Sequence, residues 1–341
     1  MTVSRSEQID LDVTPYYHVM NRCVRRSWLC GYDELTKTDY SHRKEWIVDR
    51  LKYLSNIFAI KICAYAIMSN HYHVVLYVED ERARNWSDKE VFRRWESIFK
   101  KDANSNKYNK NKIKLWRERL TSISWFMRCL NERIARDVNE EDDCKGRFWE
   151  GRFKSQALLD DVAVLSAMVY VDLNPIRAGI AKTPETSKFT SIYERINYIN
   201  KQLNKNNHKY VPQESTSGVE ILENLPQPKA LVPFAPRIDE DTLAINFKLS
   251  DYLELVDYTG KTIRDDKNVG AIPECLSPIL YRLGFGANHW VNFIQNLGSR
   301  FSYAIGSEVL LVNFSKKKNG FQKSIKSISQ TKKLYASNIP S

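Results

Sequence analysis

His71 and His73 flank Tyr72 in the stretch Ala64-Tyr-Ala-Ile-Met-Ser-Asn-His-Tyr-His-Val-Val-Leu-Tyr-Val78. On a β-strand, side chains alternate with period two, so the two imidazoles project from the same side. Histidine is the commonest metal ligand, and two of the six histidines in this 341-residue chain stand at this spacing. A hundred residues on, Tyr170 and Asn174 lie four apart in a helical pattern and share one helix face. A tyrosine hydroxyl, with an ordinary pKa of about 10, attacks phosphorus when a cation polarises the phosphate and offsets charge on the reacting oxygens. Two imidazoles and the Asn174 amide supply three ligands and leave positions open for a phosphate oxygen and water. Such a mixed N/O set suits Mg²⁺ or Mn²⁺, and imidazole tilts it toward Mn²⁺.

Other candidates for the same chemistry carry less. Strand alternation turns Tyr72 away from the histidine face, and Tyr65 has no polar residue one helical turn on. His18 reads as a hydrogen-bonded structural histidine, and His289, beside Trp290, as a packed one. A metallohydrolase using water would need a general base by the metal. Asp172 is the nearest carboxylate in sequence, but it falls on a different helix side from Tyr170.

The elements that must position these residues follow from periodicity. Tyr16 to Arg22 reads as a first strand, 59–68 as a second and 71–78 as a third, with Ser69-Asn70 as the turn that pairs the last two antiparallel. A helix is expected from Thr38 to about Ile57, and a helical region from about 87 to 139, interrupted by the Asn/Lys-rich stretch 103–114. The glycine-punctuated loop 146–154 leads into a strand ending near Leu159. Asp160-Asp161 caps a helix whose apolar stripe is Val162, Leu165, Val169 and Leu173, and Pro175 ends or kinks it. Strands and helices mixed around an antiparallel hairpin predict an α+β core with a ferredoxin-like antiparallel sheet.

Five of the eleven prolines fall within 201–236, which is linker composition. The expected division is therefore a catalytic unit over 1–200, a linker over 201–236, a smaller C-terminal unit over 237–310 with Leu249, Tyr252, Leu253 and Leu255 in its core, and a basic tail over 311–341. In the C-terminal unit, the segment from Pro278 to Gly286 reads as a helix ended by glycine. No catalytic constellation marks this unit, and DNA-end or partner binding is expected of it from position and charge alone.

The net charge of +11 points to a polyanionic partner, nucleic acid before membrane. The excess is clustered in 100–119 and beyond Glu308. Six scattered cysteines without a C-x-x-C pair argue for free thiols. No apolar run approaches the roughly 20 residues that span a bilayer, and the N-terminus lacks the apolar region of a secretory signal. A cytoplasmic location is expected.

Several blocks in order resemble the single-tyrosine HUH transposases, most closely the REP-associated tyrosine transposase branch: Tyr17-His-Val-Met-Asn-Arg22, Ala64-Tyr-Ala-Ile-Met-Ser-Asn-His-Tyr-His73, Gly151-Arg-Phe-Lys154 and Tyr170-Val-Asp-Leu-Asn-Pro-Ile-Arg-Ala-Gly179. The resemblance covers about residues 10–200. It implies that His71, His73 and Asn174 hold the metal and that Tyr170 is the nucleophile. The implied reaction is cleavage and rejoining of single-stranded DNA through a 5′-phosphotyrosine, with no nucleotide cofactor. The implied substrate carries a hairpin or repeat nearby, and a homodimer fits the family. Arg22, Arg147, Arg152 and Lys154 are candidate phosphate contacts, with Phe148, Trp149 and Phe153 as surfaces on which unpaired bases stack. The rival expectation is a DNA-binding regulator on the same fold whose catalysis has lapsed.

Overall fold

The computed structural model describes residues 8–24, 30–33, 37–99, 109–205, 225–236, 242–264, 279–280, 283, 287–300 and 303–317. Seven strands are present among them: β1 (Tyr16–Arg22), β2 (Tyr32–Asp33), β3 (Thr38–Asp39), β4 (Ile60–Ile67), β5 (His71–Val78), β6 (Lys154–Leu158) and β7 (Ala304–Ile305). Five of them form one sheet in the order β4-β5-β1-β6-β7, and β2 pairs with β3 in a separate ribbon. β1 lies antiparallel to both β5 and β6, and β4 antiparallel to β5, whereas β7 runs parallel to β6. The α+β class is as expected, but the sheet is mixed and not wholly antiparallel. β7 comes from the far end of the chain and covers an edge of β6 whose backbone groups would otherwise lie unpaired.

The sheet separates two buried clusters. On one side pack α1 (Arg43–Ile57), α3 (Asp88–Ile98), α4 (Lys110–Leu120) and α5 (Ile123–Glu141), against Tyr17, Val19, Tyr72, Val74 and Leu76. The short α2 (Asp80–Arg84) links β5 to α3. On the other side lie α6 (Asp161–Asp172), α7 (Asn174–Arg177), α8 (Ser191–Lys205), α9 (Leu249–Arg264) and α10 (Ala287–Arg300), against Ala64, Ala66 and Val75. α11 (Glu308–Lys317) returns to the first side through Leu311 and Phe314. No helix among the described residues is long and apolar enough to cross a membrane.

Three departures from the sequence reading have local causes. α1 begins at Arg43, because the Asp39 carboxylate accepts a hydrogen bond from the Ser41 amide (2.9 Å) and the chain turns there, leaving Thr38 and Asp39 to the ribbon. α6 has no one-sided stripe: every residue from Ala163 to Asp172 is buried. It is sandwiched between the sheet and the C-terminal helices, and a helix covered all round is apolar all round. Residues 225–236, at the end of the proline-rich stretch, bury Leu231, Val232 and Phe234. The Val232 amide bonds to the Ile62 carbonyl (2.8 Å), and the buried Arg195 guanidinium donates to the carbonyls of Cys63 (3.1 Å) and Val232 (2.9 Å). Residues 206–224, most of the helix expected at 278–286, and the tail beyond 317 lie outside the described residues.

The expected cap is present: the Asp160 carboxylate accepts from the Ala163 amide (2.8 Å) and from the Ser307 amide (2.7 Å), tying the start of α6 to the chain after β7. The other end of α6 is anchored by Asp172, which is fully buried. Its carboxylate accepts from Ser191 Oγ (2.5 Å), the Ile192 amide (2.9 Å) and the Tyr252 hydroxyl (2.6 Å). It therefore faces α8 and α9. Burial pushes its pKa up to about 6, against the opposing effect of the hydrogen bonds from Ser191 and Tyr252. The unfolded carboxyl, near an ordinary value of about 4, releases its proton first as pH rises. Between about pH 4 and 6 the folded chain binds more protons, so this group's contribution is present at low pH and is lost as pH rises through the folded value. The loss is of order 3 kcal/mol for a displacement of this size. Asp172→Asn keeps the shape and cannot ionise. Urea denaturation at pH 4 and at pH 7 should show the wild type losing stability relative to Asp172→Asn over that interval, and an unchanging difference would mean that Asp172 titrates normally.

Candidate active site

Register alone assembles most of the site. Across β1 and β5, Met20 stands opposite His73 and Arg22 opposite His71; across β1 and β6, His18 stands opposite Gln156 and Met20 opposite Lys154. Residues directly opposed in an antiparallel pair point to the same side, so His18, Arg22, His71, His73, Lys154 and Gln156 share the face that α6 covers. Tyr72 points the other way: its ring packs edge-on to Trp149 and its hydroxyl donates to Asn131 Oδ1 (2.5 Å). Tyr65 is likewise committed elsewhere, through a hydrogen bond from its hydroxyl to Glu194 (2.7 Å).

The rings converge. His71 and His73 lie 5.0 Å apart between centroids, and the Tyr170 ring stands edge-on to His73 at 5.6 Å and to His18 at 6.0 Å. His18, the residue read as merely structural, lies nearly parallel to His73 with ring centroids 5.1 Å apart and bonds to it, Nε2 to Nδ1, at 2.9 Å. Its Nδ1 meets Gln156 Oε1 at 2.7 Å. His71 Nδ1 meets Asn70 Oδ1 at 2.6 Å. Three catalytic candidates of the sequence reading, His71, His73 and Tyr170, are thus brought together by the fold.

Asn174 sits one step further off. The α6 helix stops at Asp172, and Asn174 opens the short α7, with Pro175 in its first turn. Asn174 is buried, and its amide nitrogen has no hydrogen-bond partner among the described residues. Arg177, three residues on, lays its guanidinium over the Tyr170 ring at 4.5 Å and donates to the Gln295 carbonyl (2.9 Å). Residues 170, 174 and 177 follow the i, i+4, i+7 pattern of one helix face, a signal that could have drawn Arg177 into the site from sequence.

Electrostatically the histidines are held neutral. Burial lowers His18 to about 4, with Gln156 opposing, and lowers His71 to about 4, with the Arg22 charge adding to the effect. His73 is held well below the usual imidazole range by burial, then by His18, His71 and Arg177. Two arginines, Arg22 and Arg177, therefore place positive charge within reach of unprotonated imidazoles. Among the described residues no three His, Cys, Asp or Glu side chains are arranged to share one metal ion. A cation here would have to draw on His71, His73 and an oxygen donor of another kind. The neutral imidazoles fit that requirement, and the Asn174 carbonyl oxygen is of the right kind; the unpartnered atom of Asn174 is its amide nitrogen, a donor, which does not itself mark a ligand.

The expected DNA contacts divide. Arg22, Arg152 and Lys154 are exposed. Arg147 folds onto its own loop, donating from Nε to the Trp149 carbonyl (2.8 Å) and from Nη2 to the Glu150 carbonyl (2.7 Å). Phe148, Trp149 and Phe153 are buried in the cluster on the far side of the sheet, which corrects their reading as base-stacking surfaces. They supply core that the loop itself would lack. The basic run over 110–119 also belongs to the far side. Its Ile113, Trp116 and Leu120 are buried there. Arg117 caps carbonyls of Ala83 and Trp86, and Arg119 lies over Trp125.

No family model matches the chain, and no curated protein matches it. Among solved structures, the chain is similar to a REP-associated tyrosine transposase bound to a REP hairpin, at 12% identity and a TM-score of 0.37, over 58% of this chain and 86% of that one.

Proposed function

We propose that the chain is a metal-dependent enzyme that cleaves and rejoins single-stranded DNA through Tyr170. The observation that carries this reading is the convergence of the Tyr170 ring with His73 and His18, and of His73 with His71, on one face of the sheet. Against the rival reading, a binding regulator, stands the bringing together of His71, His73 and Tyr170, which binding alone does not require. The order of the sequence blocks around these same residues supports the same chemistry.

In the forward step, Tyr170 Oη attacks a backbone phosphorus, the P–O3′ bond breaks, and the proton given up by the phenol is balanced by the one gained on the departing 3′-hydroxyl. The product is a 5′-phosphotyrosine and a free 3′ end. In the return step a 3′-hydroxyl attacks that phosphorus, the bond to Tyr170 breaks and the phenol recovers its proton. No external energy source is required, because one phosphodiester replaces another. Mg²⁺ or Mn²⁺ held by His71, His73 and Asn174 would supply Lewis-acid polarisation of the phosphate. The chain's own contribution is positional. Arg177 lies over the Tyr170 ring and helps hold it, α6 fixes the distance from tyrosine to sheet, and Arg22, across from His71, meets the incoming phosphate as an exposed cation. Arg152 and Lys154 extend that positive edge along the substrate strand.

Tyr170→Phe should abolish the covalent adduct with an oligonucleotide labelled 3′ of the cleaved bond, on the fragment that stays attached through its 5′-phosphate, a loss of roughly 10³-fold or more, while binding of the same oligonucleotide changes by less than about threefold. An adduct that persists in the Phe variant would assign the nucleophile elsewhere. His71→Ala and His73→Ala, checked by circular dichroism for folding, should each remove cleavage in Mg²⁺ and in Mn²⁺. Undiminished cleavage by either would refute the metal role of that histidine. Arg22→Ala should weaken oligonucleotide binding and make it less salt-dependent by about one ion, measured by fluorescence anisotropy across a salt series.

A further inference from the structure

We infer that Gln156 and His18 are positioning residues that fix the tautomer of His73 through a buried proton relay, leaving its Nε2 bare as a metal ligand. The inference rests on the metal-dependent reading above. Gln156, His18 and His73 are each less than a tenth exposed. They form a single file: Gln156 Oε1 to His18 Nδ1 at 2.7 Å, then His18 Nε2 to His73 Nδ1 at 2.9 Å. A neutral imidazole has one N–H and one lone pair, so the file has just two self-consistent arrangements, and the end group chooses between them.

With the amide oxygen toward His18, the choice is made. An amide oxygen only accepts, so His18 must carry its proton on Nδ1. Its Nε2 is then a lone pair and must accept from His73, which carries its proton on Nδ1. The remaining nitrogen of His73, Nε2, is left with a free lone pair. Turning the amide over would reverse each bond in the file and put a proton on His73 Nε2, where it would block a metal. The same logic holds independently at the neighbouring ligand. His71 Nδ1 faces Asn70 Oδ1 at 2.6 Å, which again assigns the proton to Nδ1 and leaves Nε2 bare. Two separate amide oxygens, one at the end of a relay and one directly, thus prepare both histidines in the same state. Partners of this kind orient metal-bound histidines and typically contribute 10- to 100-fold to metal affinity.

The test uses the full chain labelled with ¹⁵N-histidine and Mn²⁺ as the probe. Two-bond ¹⁵N–¹H correlation spectra of the metal-free protein should show His18, His71 and His73 all protonated on Nδ1. Gln156→Leu, which removes the acceptor, should redistribute the His18 and His73 tautomers and weaken Mn²⁺ binding 10- to 100-fold by calorimetry. Gln156→Glu, an acceptor that cannot turn over, should restore the Nδ1–H state and the affinity. A purely structural role for Gln156 would move the melting temperature of both variants and leave the tautomers alone. His73 protonated on Nε2 in the wild type, or a Gln156→Leu variant with unchanged tautomers and unchanged affinity, would overturn the relay. The Nδ1–H state in a wild type that binds no Mn²⁺ would uphold the relay and sink the metal reading instead.

Discussion

The pairing register of β1 against β5 and β6 is the constraint on which the rest depends. Successive strand residues alternate between faces, so a one-residue slip would exchange the two sides of the sheet. His71 and His73 would then enter the aromatic cluster that now holds Tyr72, and Tyr72 would face α6. The alternation is enforced by burial on both faces: Tyr17, Val19, Tyr72, Val74 and Leu76 pack on one side, and Val75 with the histidines on the other. Moving those large side chains costs far more than any contact within the site could return, since a buried side chain of this size is worth about 1.5–3 kcal/mol. The core on the far side of the sheet is therefore what holds the histidines on the near side.

The second half of the site is placed by the helix that covers the sheet, and α6 is fixed at both ends by carboxylates. Asp160 ties its start to the Ser307 amide beside β7, and Asp172 ties its end to α8 and α9 through Ser191 and Tyr252. Tyr170 lies two residues before the second anchor. A substituent on Gly260 of α9 would come within 3.1 Å of Leu173, so α9 also approaches the helix end closely. The C-terminal helices thus bear on the position of Tyr170 by closing the side of α6 that the sheet leaves open. That is why α6 carries apolar residues on every face, and why the Tyr170 ring stands at a fixed distance from His73.

The sequence made local features legible and left relational ones hidden. The H-x-H spacing, the turn at Ser69-Asn70, the cap at Asp160 and the outward turn of Tyr72 all depend on periodicity within one element, and each could be read from a few residues. His18 could not be drawn into the site this way, because its role depends on which strand lies beside β1 and in what register. Gln156 is hidden for the same reason. Phe148, Trp149 and Phe153 misled because an aromatic in a glycine-rich loop has the composition of a stacking surface, and only burial shows that it is core. The parallel strand β7 is two residues long, too short to leave a periodic signal. The apolar residues of 225–236 were masked by the prolines between them.

Charge provides a further instance of the difference between composition and placement. The net charge of +11 suggested a polyanionic partner, yet the described part of the densest run lies behind the sheet, with Arg117 and Arg119 engaged by carbonyls and indole rings. The cations that matter to the proposed chemistry are few and local. Arg22 and Arg177 flank the histidines and help keep them unprotonated, and a cation that repels a proton from an imidazole also attracts a phosphate. Under the proposed chemistry, one arrangement would thereby satisfy two demands that compete elsewhere: lone pairs available for a metal, and positive charge available for the substrate backbone. Long-range attraction from the rest of the surface affects how often a strand arrives, whereas the two arginines bear on what happens once it is there.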